Sequence, residues 1–465
     1  MKSVRLVVAA AMCAAVLAST AAARQAPGRR LDPRVAADER PNVLVILTDD
    51  QRDDDFLPVM PNVRRLFARG GTRFTNAYAT TPLCCPSRGS ILSGRYVHNH
   101  GILTNNTFSQ VMGFDQATTM QCHLQPAGYR TAIAGKLFNI WPLGQSPPCW
   151  DRWAVSDQGY IDPEFNVNGV RRTVPGYSTG LLRDFALGDL EAFEEDDEAP
   201  WFLYVSTYAP HFPFTAEPRY ARAPVRQRRP NPALTERDRS DKPPEVQAWG
   251  LNPAKGAHVR RVQLRTLMSV DDLVGDLFER LDALGEDDRT LAIFMSDNGL
   301  MWSEHGLYGT KRYPYLPSIG IPVLLRWPDH VDAGAIDDRL AANIDIAPTV
   351  FEAAGLSPPD DPPMDGASLL APSGRSRLLL EYFRSPDNPV LGEWAGTITD
   401  RYEYVEYYAD DGTTITFREY YDLVRDPWQL RNLLADRSTT NDPDLAPLHA
   451  QLRTDRACAG ASCPG

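Results

Sequence analysis

Asn42-Val-Leu-Val-Ile-Leu-Thr-Asp-Asp50 is an uninterrupted apolar run that stops on two adjacent carboxylates. A strand covered by helices on both faces reads as such a run, because neither side has to alternate with polar residues. Ligands of open α/β sheets bind beyond the carboxyl ends of the strands, so Asp49 and Asp50 stand where chemistry is expected. Trp201–Ser206, Leu291–Met295 and Ile321–Leu325 repeat the pattern, with helical stretches between them such as the long amphipathic Val259–Leu284. Strands alternating with helices predict an α/β fold built on a mostly parallel central sheet flanked by helices.

The chain has 465 residues, of which 43% are hydrophobic and 23% charged, ordinary values for a globular protein with a large core. Its formal net charge of −12 argues against nucleic acid as a partner, since phosphate neutralisation needs a basic face. A small anionic substrate is not excluded, because a basic pocket can sit inside an acidic shell. At the N-terminus, Lys2 and Arg5 precede an apolar run over Leu6–Ala18 and the small residues Ala21-Ala-Ala23. This reads as a signal peptide over 1–23, followed by a mobile leader over 24–40, and predicts a secreted or periplasmic protein. No later segment reaches about 18 uninterrupted apolar residues, so no membrane span is expected.

Of the seven cysteines Cys13 leaves with the signal peptide, and export makes disulfides plausible among the others. Cys458 and Cys463 bracket a short loop and are expected to pair, Cys122 with Cys149 is the next pairing, and with Cys84 set aside as a nucleophile Cys85 is left free and buried. Residues 217–250, crowded with Pro and Arg and lacking a hydrophobic period, read as a solvated surface insertion, or as a source of arginines that guide an anionic substrate. A catalytic region over 41–375 is expected to give way to a C-terminal subdomain over 376–465. There the strand-like pieces Leu378–Tyr382, Trp394–Thr399, Tyr402–Tyr408 and Thr413–Phe417, joined by turn signals, suggest a small antiparallel sheet.

Five further motifs carry chemistry. Cys84-Cys-Pro-Ser-Arg-Gly-Ser-Ile-Leu-Ser-Gly-Arg95 places a guanidinium, Arg88, four residues after Cys84, on one face if the segment is helical. Phe294-Met-Ser-Asp-Asn-Gly299 ends a second strand on oxygen donors, Asp297 and Asn298. Two acidic strand ends in one chain favour a shared hard cation. Gly135-Lys136-Leu137, Pro210-His211-Phe-Pro213 and the segment from His305 to Lys311 supply isolated basic residues.

The dodecapeptide resembles the signature of the type I sulfatases, C-x-P-S-R followed by L-[ST]-G-R, and further blocks resemble that family in order over about 41–433. The resemblance implies an alkaline-phosphatase-like fold. It implies that a formylglycine-generating enzyme converts Cys84 to formylglycine (3-oxoalanine). It also implies that Asp49, Asp50, Asp297, Asn298 and the modified Cys84 hold one calcium or magnesium ion. Related two-zinc phosphatases carry Asp-His where this chain has Asp297-Asn298, and amide and carboxylate oxygens suit a hard ion better than zinc.

Catalytic roles follow from the same resemblance. Arg88 holds the nucleophile, Lys136 and Lys311 bind the sulfate, and His211 or Lys311 protonates the leaving alcohol of a sulfate monoester. The family's G-K-x-H histidine is replaced by Phe138, with Asn139 beyond it. That departure, the doubled cysteine and the run His98-Asn99-His100 are similar to the glucosamine-6-sulfatase and heparan sulfatase branch, which points to a sulfated carbohydrate such as 6-O-sulfated N-acetylglucosamine. Phosphonate monoester and phosphodiester hydrolases share the signature and form the alternative, and an inactive glycan-binding relative is the reading outside enzymes. His98 and His100 either line the substrate pocket or cap the helix, His305 can be placed at the pocket rim, and Asp345 is expected to position a loop.

Overall fold

The computed structural model describes residues 40–464 apart from 157–158, 196–198, 229, 387, 389 and 437, so the expected signal peptide and all but the last residue of the leader lie outside the described residues. The larger sheet has ten strands: β1 (Asn42–Thr48), β2 (Thr72–Tyr78), β3 (Arg130–Gly135), β4 (Arg152–Ser156), β5 (Glu164–Val167), β6 (Val170–Thr173), β7 (Trp201–Ser206), β8 (Thr290–Ser296), β9 (Val323–Arg326) and β10 (Ala335–Ala342). Their spatial order is β10-β2-β9-β8-β1-β7-β3-β4-β5-β6. Only β9 and β5 run against the other strands, and β1, β7, β8 and β3 form the parallel centre.

Strand β1 explains why a continuous apolar run was needed. Val43, Val45 and Leu47 pack into the core on one face of the sheet with Ile91, Leu92 and Val350. Leu44 and Ile46 enter the core on the other face, with Leu267, Val270 and Val274. Each such fully buried side chain contributes about 1.5–3 kcal/mol. The helix over Cys84–Ser93 (α1) lies against the first face. Those of the second are Ser178–Glu194 (α2) and Pro253–Leu284 (α3). Helix α3 starts six residues before the expected Val259, because Asn252 caps it by accepting from the Lys255 amide at 3.0 Å and Pro253 fits its first turn.

The second sheet is antiparallel: β11 (Leu378–Tyr382), β12 (Trp394–Ile398), β13 (Tyr402–Tyr408) and β14 (Ile415–Asp422). Several expected strands shift, β1 by one residue at one end and β8 by one residue at each end. Trp394–Thr399 ends one residue earlier. Thr413–Phe417 becomes Ile415–Asp422, because the Tyr-rich stretch after Phe417 pairs with β13. Ile321–Leu325 starts at Val323 and is antiparallel to both neighbours. The expected disulfides Cys122–Cys149 and Cys458–Cys463 are present, and Cys85 is free and buried. No helix among the described residues is long and apolar enough to cross a membrane.

The stretch 217–250 is more than a solvated insertion. It is largely exposed or half-buried, yet Asn231, Ala233, Lys242 and Val246 are buried. It tracks back along α3, with Tyr220 donating to Asp272 at 2.6 Å, Arg265 to the Ala223 carbonyl at 3.0 Å and Arg260 to the Arg226 carbonyl at 2.9 Å. It then reaches the second sheet's side of the molecule, where Lys242 Nζ donates to the Leu430 carbonyl at 3.0 Å.

His98 fastens the segment after α1 to the second sheet. Its Nδ1 lies 2.9 Å from Glu381 Oε2 on β11, and its Nε2 lies 3.0 Å from the Cys458 carbonyl. Both ring nitrogens face acceptors, so the imidazolium is the form that satisfies both. Burial opposes that charge, but the hydrogen bond and charge of buried Glu381 prevail and push the His98 pKa up to about 9. A pKa raised in the folded state adds stability that is complete below the unfolded value near 6.5 and fades as pH rises through about 9. Denaturant unfolding should therefore lose on the order of 3 kcal/mol between those pH values. His98→Gln should remove most of that dependence, and an unchanged pH profile would contradict the pairing.

Candidate active site

The site is assembled at the carboxyl ends of four adjacent strands, β8, β1, β7 and β3, and at the first turn of α1. Asp49 and Asp50 leave β1, Asp297 and Asn298 leave β8, Ser206 ends β7, and Lys136 follows β3. Gly135 makes the last placement possible: its φ is +117°, and a Cβ there would stand 1.9 Å from the Ser206 carbonyl oxygen. Helix α1 begins at Cys84 after the extended Leu83 and stops at Gly94 in the left-handed region. Every residue of α1 is buried.

Helical spacing puts Arg88 one turn beyond Cys84, as expected, and its guanidinium is the hub of the site. Nε donates to Asp297 Oδ2 at 2.8 Å, Nη1 to the Lys136 carbonyl at 2.8 Å and to Ser206 Oγ at 2.7 Å, and Nη2 to Asp49 Oδ2 at 3.3 Å. Lys136 Nζ pairs with the same Asp49 oxygen. Burial alone would raise Asp49, but Lys136, His211, Arg88 and Lys311 together hold it well below the usual carboxylate range. Asp297 moves the other way: burial and then the charge of Asp49 raise it despite Arg88.

Lys311 Nζ pairs with Asp50 Oδ1 and lies 2.7 Å from Cys84 Sγ and 3.3 Å from Asn298 Oδ1. An ammonium thus sits among three donor groups, much as a cation would. One ligand atom from each of Asp49, Asp50, Cys84 and His211 falls within 4.8 Å of the others. Asn298 Nδ2 donates to Asp50 Oδ1 at 2.7 Å, and Asp297 Oδ1 accepts from the Asp50 amide at 3.1 Å, so the oxygens of both strand ends converge. Hard oxygen donors in that number, with a raised carboxylate among them, fit a divalent hard cation.

The Cys84 thiol is fully buried, and burial together with Asp49 pushes its pKa far up. Reactive cysteines need the opposite shift, so the unmodified thiol is a poor nucleophile. His211 Nε2 lies 3.7 Å from Asp50 Oδ2. Its Nδ1 lies 2.7 Å from the Phe212 carbonyl, so Nδ1 carries a proton and Nε2 is the ring atom facing the site. Tyr208 packs on the ring at 5.0 Å, and Tyr160 donates to the His211 carbonyl at 2.6 Å.

The structure also places the three other histidines singled out in the sequence. His100 is buried, bonds Ser90 Oγ at 3.1 Å and is pushed down to about 3 by burial and Arg95, so it locks the exit of α1 as a neutral ring. His98 is the clamp described above. His305 is buried against Tyr315 and bonds Glu236 Oε2 at 2.6 Å, which anchors the 217–250 segment and does not bring the ring to the catalytic groups. Asn139 contributes its backbone amide to Cys85 Sγ at 3.2 Å. Asp345 accepts from the Ala367 amide at 2.9 Å and pairs with Arg375, the loop-positioning role expected of it.

Ser206, Tyr160, Tyr208 and Gln263 escaped the sequence reading. Gln263 Nε2 donates to the carbonyls of Asp50 at 3.2 Å and Pro210 at 3.1 Å. A polar residue within the buried stripe of an amphipathic helix was the available signal for Gln263. Ser206 had a weaker one, a hydroxyl ending an apolar strand.

The sulfatase family model matches residues 41–356, and the model of the C-terminal part of N-sulphoglucosamine sulphohydrolase matches 303–457. The chain is 30% identical over 495 residues to human N-acetylglucosamine-6-sulfatase, covering 92% of this chain and 86% of that protein. It is 32% identical over 369 residues to the extracellular sulfatase SULF-1 homolog of Drosophila melanogaster, covering 73% of this chain but only 32% of that longer protein. The solved structure of BT4656 in complex with its substrate D-glucosamine-2-N,6-O-disulfate superposes with a TM-score of 0.77 at 24% identity, over 89% of this chain and 97% of that one. The fold is therefore that of the sulfatases, as expected, and the chain belongs to the sulfatase family.

Proposed function

We propose that this protein hydrolyses a sulfate monoester of a sulfated sugar such as 6-O-sulfated N-acetylglucosamine, after export and after conversion of Cys84 to formylglycine by a formylglycine-generating enzyme. The observation that carries the reading is the convergence of Arg88, Lys136 and Lys311 with Asp49, Asp50 and Asp297 around Cys84. Three carboxylates against three cationic side chains leave the site near neutral. One divalent ion then leaves two positive charges, enough for a monoanionic sulfate ester and an ionised attacking oxygen.

Asp49, Asp50, Asp297, Asn298 and the modified Cys84 are the residues that would hold the ion, calcium or magnesium by the hardness of the oxygen donors. When bound it supplies Lewis-acid polarisation of a sulfuryl oxygen. The hydrated aldehyde offers one hydroxyl for attack and a second for release, which serine lacks. Arg88 orients that hydrate, and Lys136 and Lys311 bind sulfuryl oxygens once Lys311 leaves Asp50. His211 Nε2 delivers a proton to the leaving alcohol oxygen. The net change is ester plus water to alcohol plus sulfate. The substrate class rests on likeness to N-acetylglucosamine-6-sulfatases and on the departure at Phe138 shared with that branch.

Peptide mass spectrometry of the active protein should show Cys84 lighter by about 18 Da, the change from thiol to aldehyde. N-acetylglucosamine 6-sulfate should be turned over faster than an aryl phosphonate monoester. An unmodified thiol in fully active protein, or preference for the phosphonate, would overturn the proposal. His211→Ala should lower kcat by about 10²–10⁴-fold on the sugar sulfate and much less on 4-nitrophenyl sulfate, whose leaving group needs no proton. Equal losses on both esters would remove His211 from the acid role.

A further inference from the structure

The 217–250 segment and the first turns of α3, with Trp302, line a cavity of about 370 Å³. Its lining includes four arginines, Arg226, Arg228, Arg260 and Arg261, together with Asn231 and Trp302, and no carboxylate. In a chain of net charge −12, the two of these arginines that no carboxylate pairs with among the described residues, Arg226 and Arg261, give the cavity a local excess of positive charge.

The four guanidiniums are unequally engaged. Arg228 Nη2 pairs with Glu304 at 2.7 Å and Asp54 at 3.2 Å, and Arg260 Nε with Asp55 at 3.0 Å, so these carboxylates hold the two in place and offset their charge. Arg228 and Arg260 also lie over the Trp302 ring, at 5.1 and 5.8 Å. Arg226 and Arg261 are exposed, and their side chains make no ion pair among the described residues. Nη1 of Arg228 is shut off from solvent without an acceptor. A buried charged donor left in that condition is destabilising, and an oxyanion relieves it.

The cavity is tied to the reaction site through α3. Arg260 lies three residues before Gln263, about one turn of helix. Gln263 holds the carbonyls of Asp50 and Pro210 and accepts from Trp302 Nε1 at 2.5 Å. The same strand-end edge of the molecule therefore carries both features.

We propose that this cavity is an accessory anion site that receives a second sulfate group of a polysulfated glycan while another sulfate of the same chain occupies the catalytic centre, an inference that rests on the sulfated-sugar reading above. Arg228 and Arg260, braced by their carboxylates, form its fixed part, and Arg226 and Arg261 form an adaptable rim. Specificity for a polymer over a monosaccharide then comes from added charge-assisted hydrogen bonds and needs no change at the catalytic groups.

The test uses the full chain and the exposed rim pair, Arg226→Ala/Arg261→Ala. For a heparin-derived hexasaccharide KM should rise about tenfold, the sum of two exposed charge contacts, while KM for N-acetylglucosamine 6-sulfate stays within about twofold. Titration calorimetry of the Cys84→Ala protein, with and without the rim substitutions, should show the same loss for the hexasaccharide and little for inorganic sulfate. This binding arm decides the matter even if neither sugar is turned over, an outcome that would sink the activity instead. Unchanged hexasaccharide binding would overturn the accessory site, as would an equal loss for inorganic sulfate, which would mark a site for the free ion.

Discussion

Arg88 donates to Asp297, Ser206, the Lys136 carbonyl and Asp49, and so ties the ends of β8, β7, β3 and β1 to the helix that begins at Cys84. These four strands are neighbours in the sheet, and nothing in the sheet's own ladder bonds positions their terminal side chains. Burying a guanidinium is costly on desolvation grounds, and four acceptors with two of them ionised offset that cost. Removing the guanidinium would strand Asp49 and Asp297 in the interior, a loss of about 3–5 kcal/mol for a broken buried pair. The geometry around Cys84 and the stability of this edge of the sheet therefore share one cause.

The same edge is built for charge. Lys136 and Lys311 are both buried. Burial works against their charge, but Asp49 and Asp50 respectively raise them above the ordinary lysine range. Both stay protonated at any physiological pH. A sulfuryl group entering the site meets fixed positive charge among buried side chains, where such charge acts more strongly than at an exposed surface. The Cys84 thiol, by contrast, has been made unreactive by the same burial, which is consistent with chemistry that depends on altering the cysteine.

Much of this was legible in the chain. The run Asn42–Leu47 had to be a doubly covered strand, and carboxylates after it and after Met295 had to lie together once both strands were parallel neighbours. The expected metal ligands and basic residues converge for that reason. The peripheral strands β4, β5 and β6 were not legible, because Val170–Thr173 is fully exposed and short edge strands carry no hydrophobic alternation. The contacts of His98, His100 and His305 were equally hidden. Their partners Glu381, Ser90 and Glu236 are brought to them by tertiary packing, and for His98 the partner is 283 residues away. Second-layer residues such as Gln263 and Tyr160 act through backbone carbonyls, which leave no mark on sequence.

The most direct measurement is a crystal structure of the purified protein grown with calcium, read for metal density at the ends of β1 and β8. One ion bonded to oxygens of Asp49, Asp50, Asp297 and Asn298, with the Lys311 ammonium moved off Asp50, is the expected result. Lys311 still paired with Asp50 and no ion between the strand ends, or two zinc ions in their place, would contradict the assignment of this edge as a single hard-cation site.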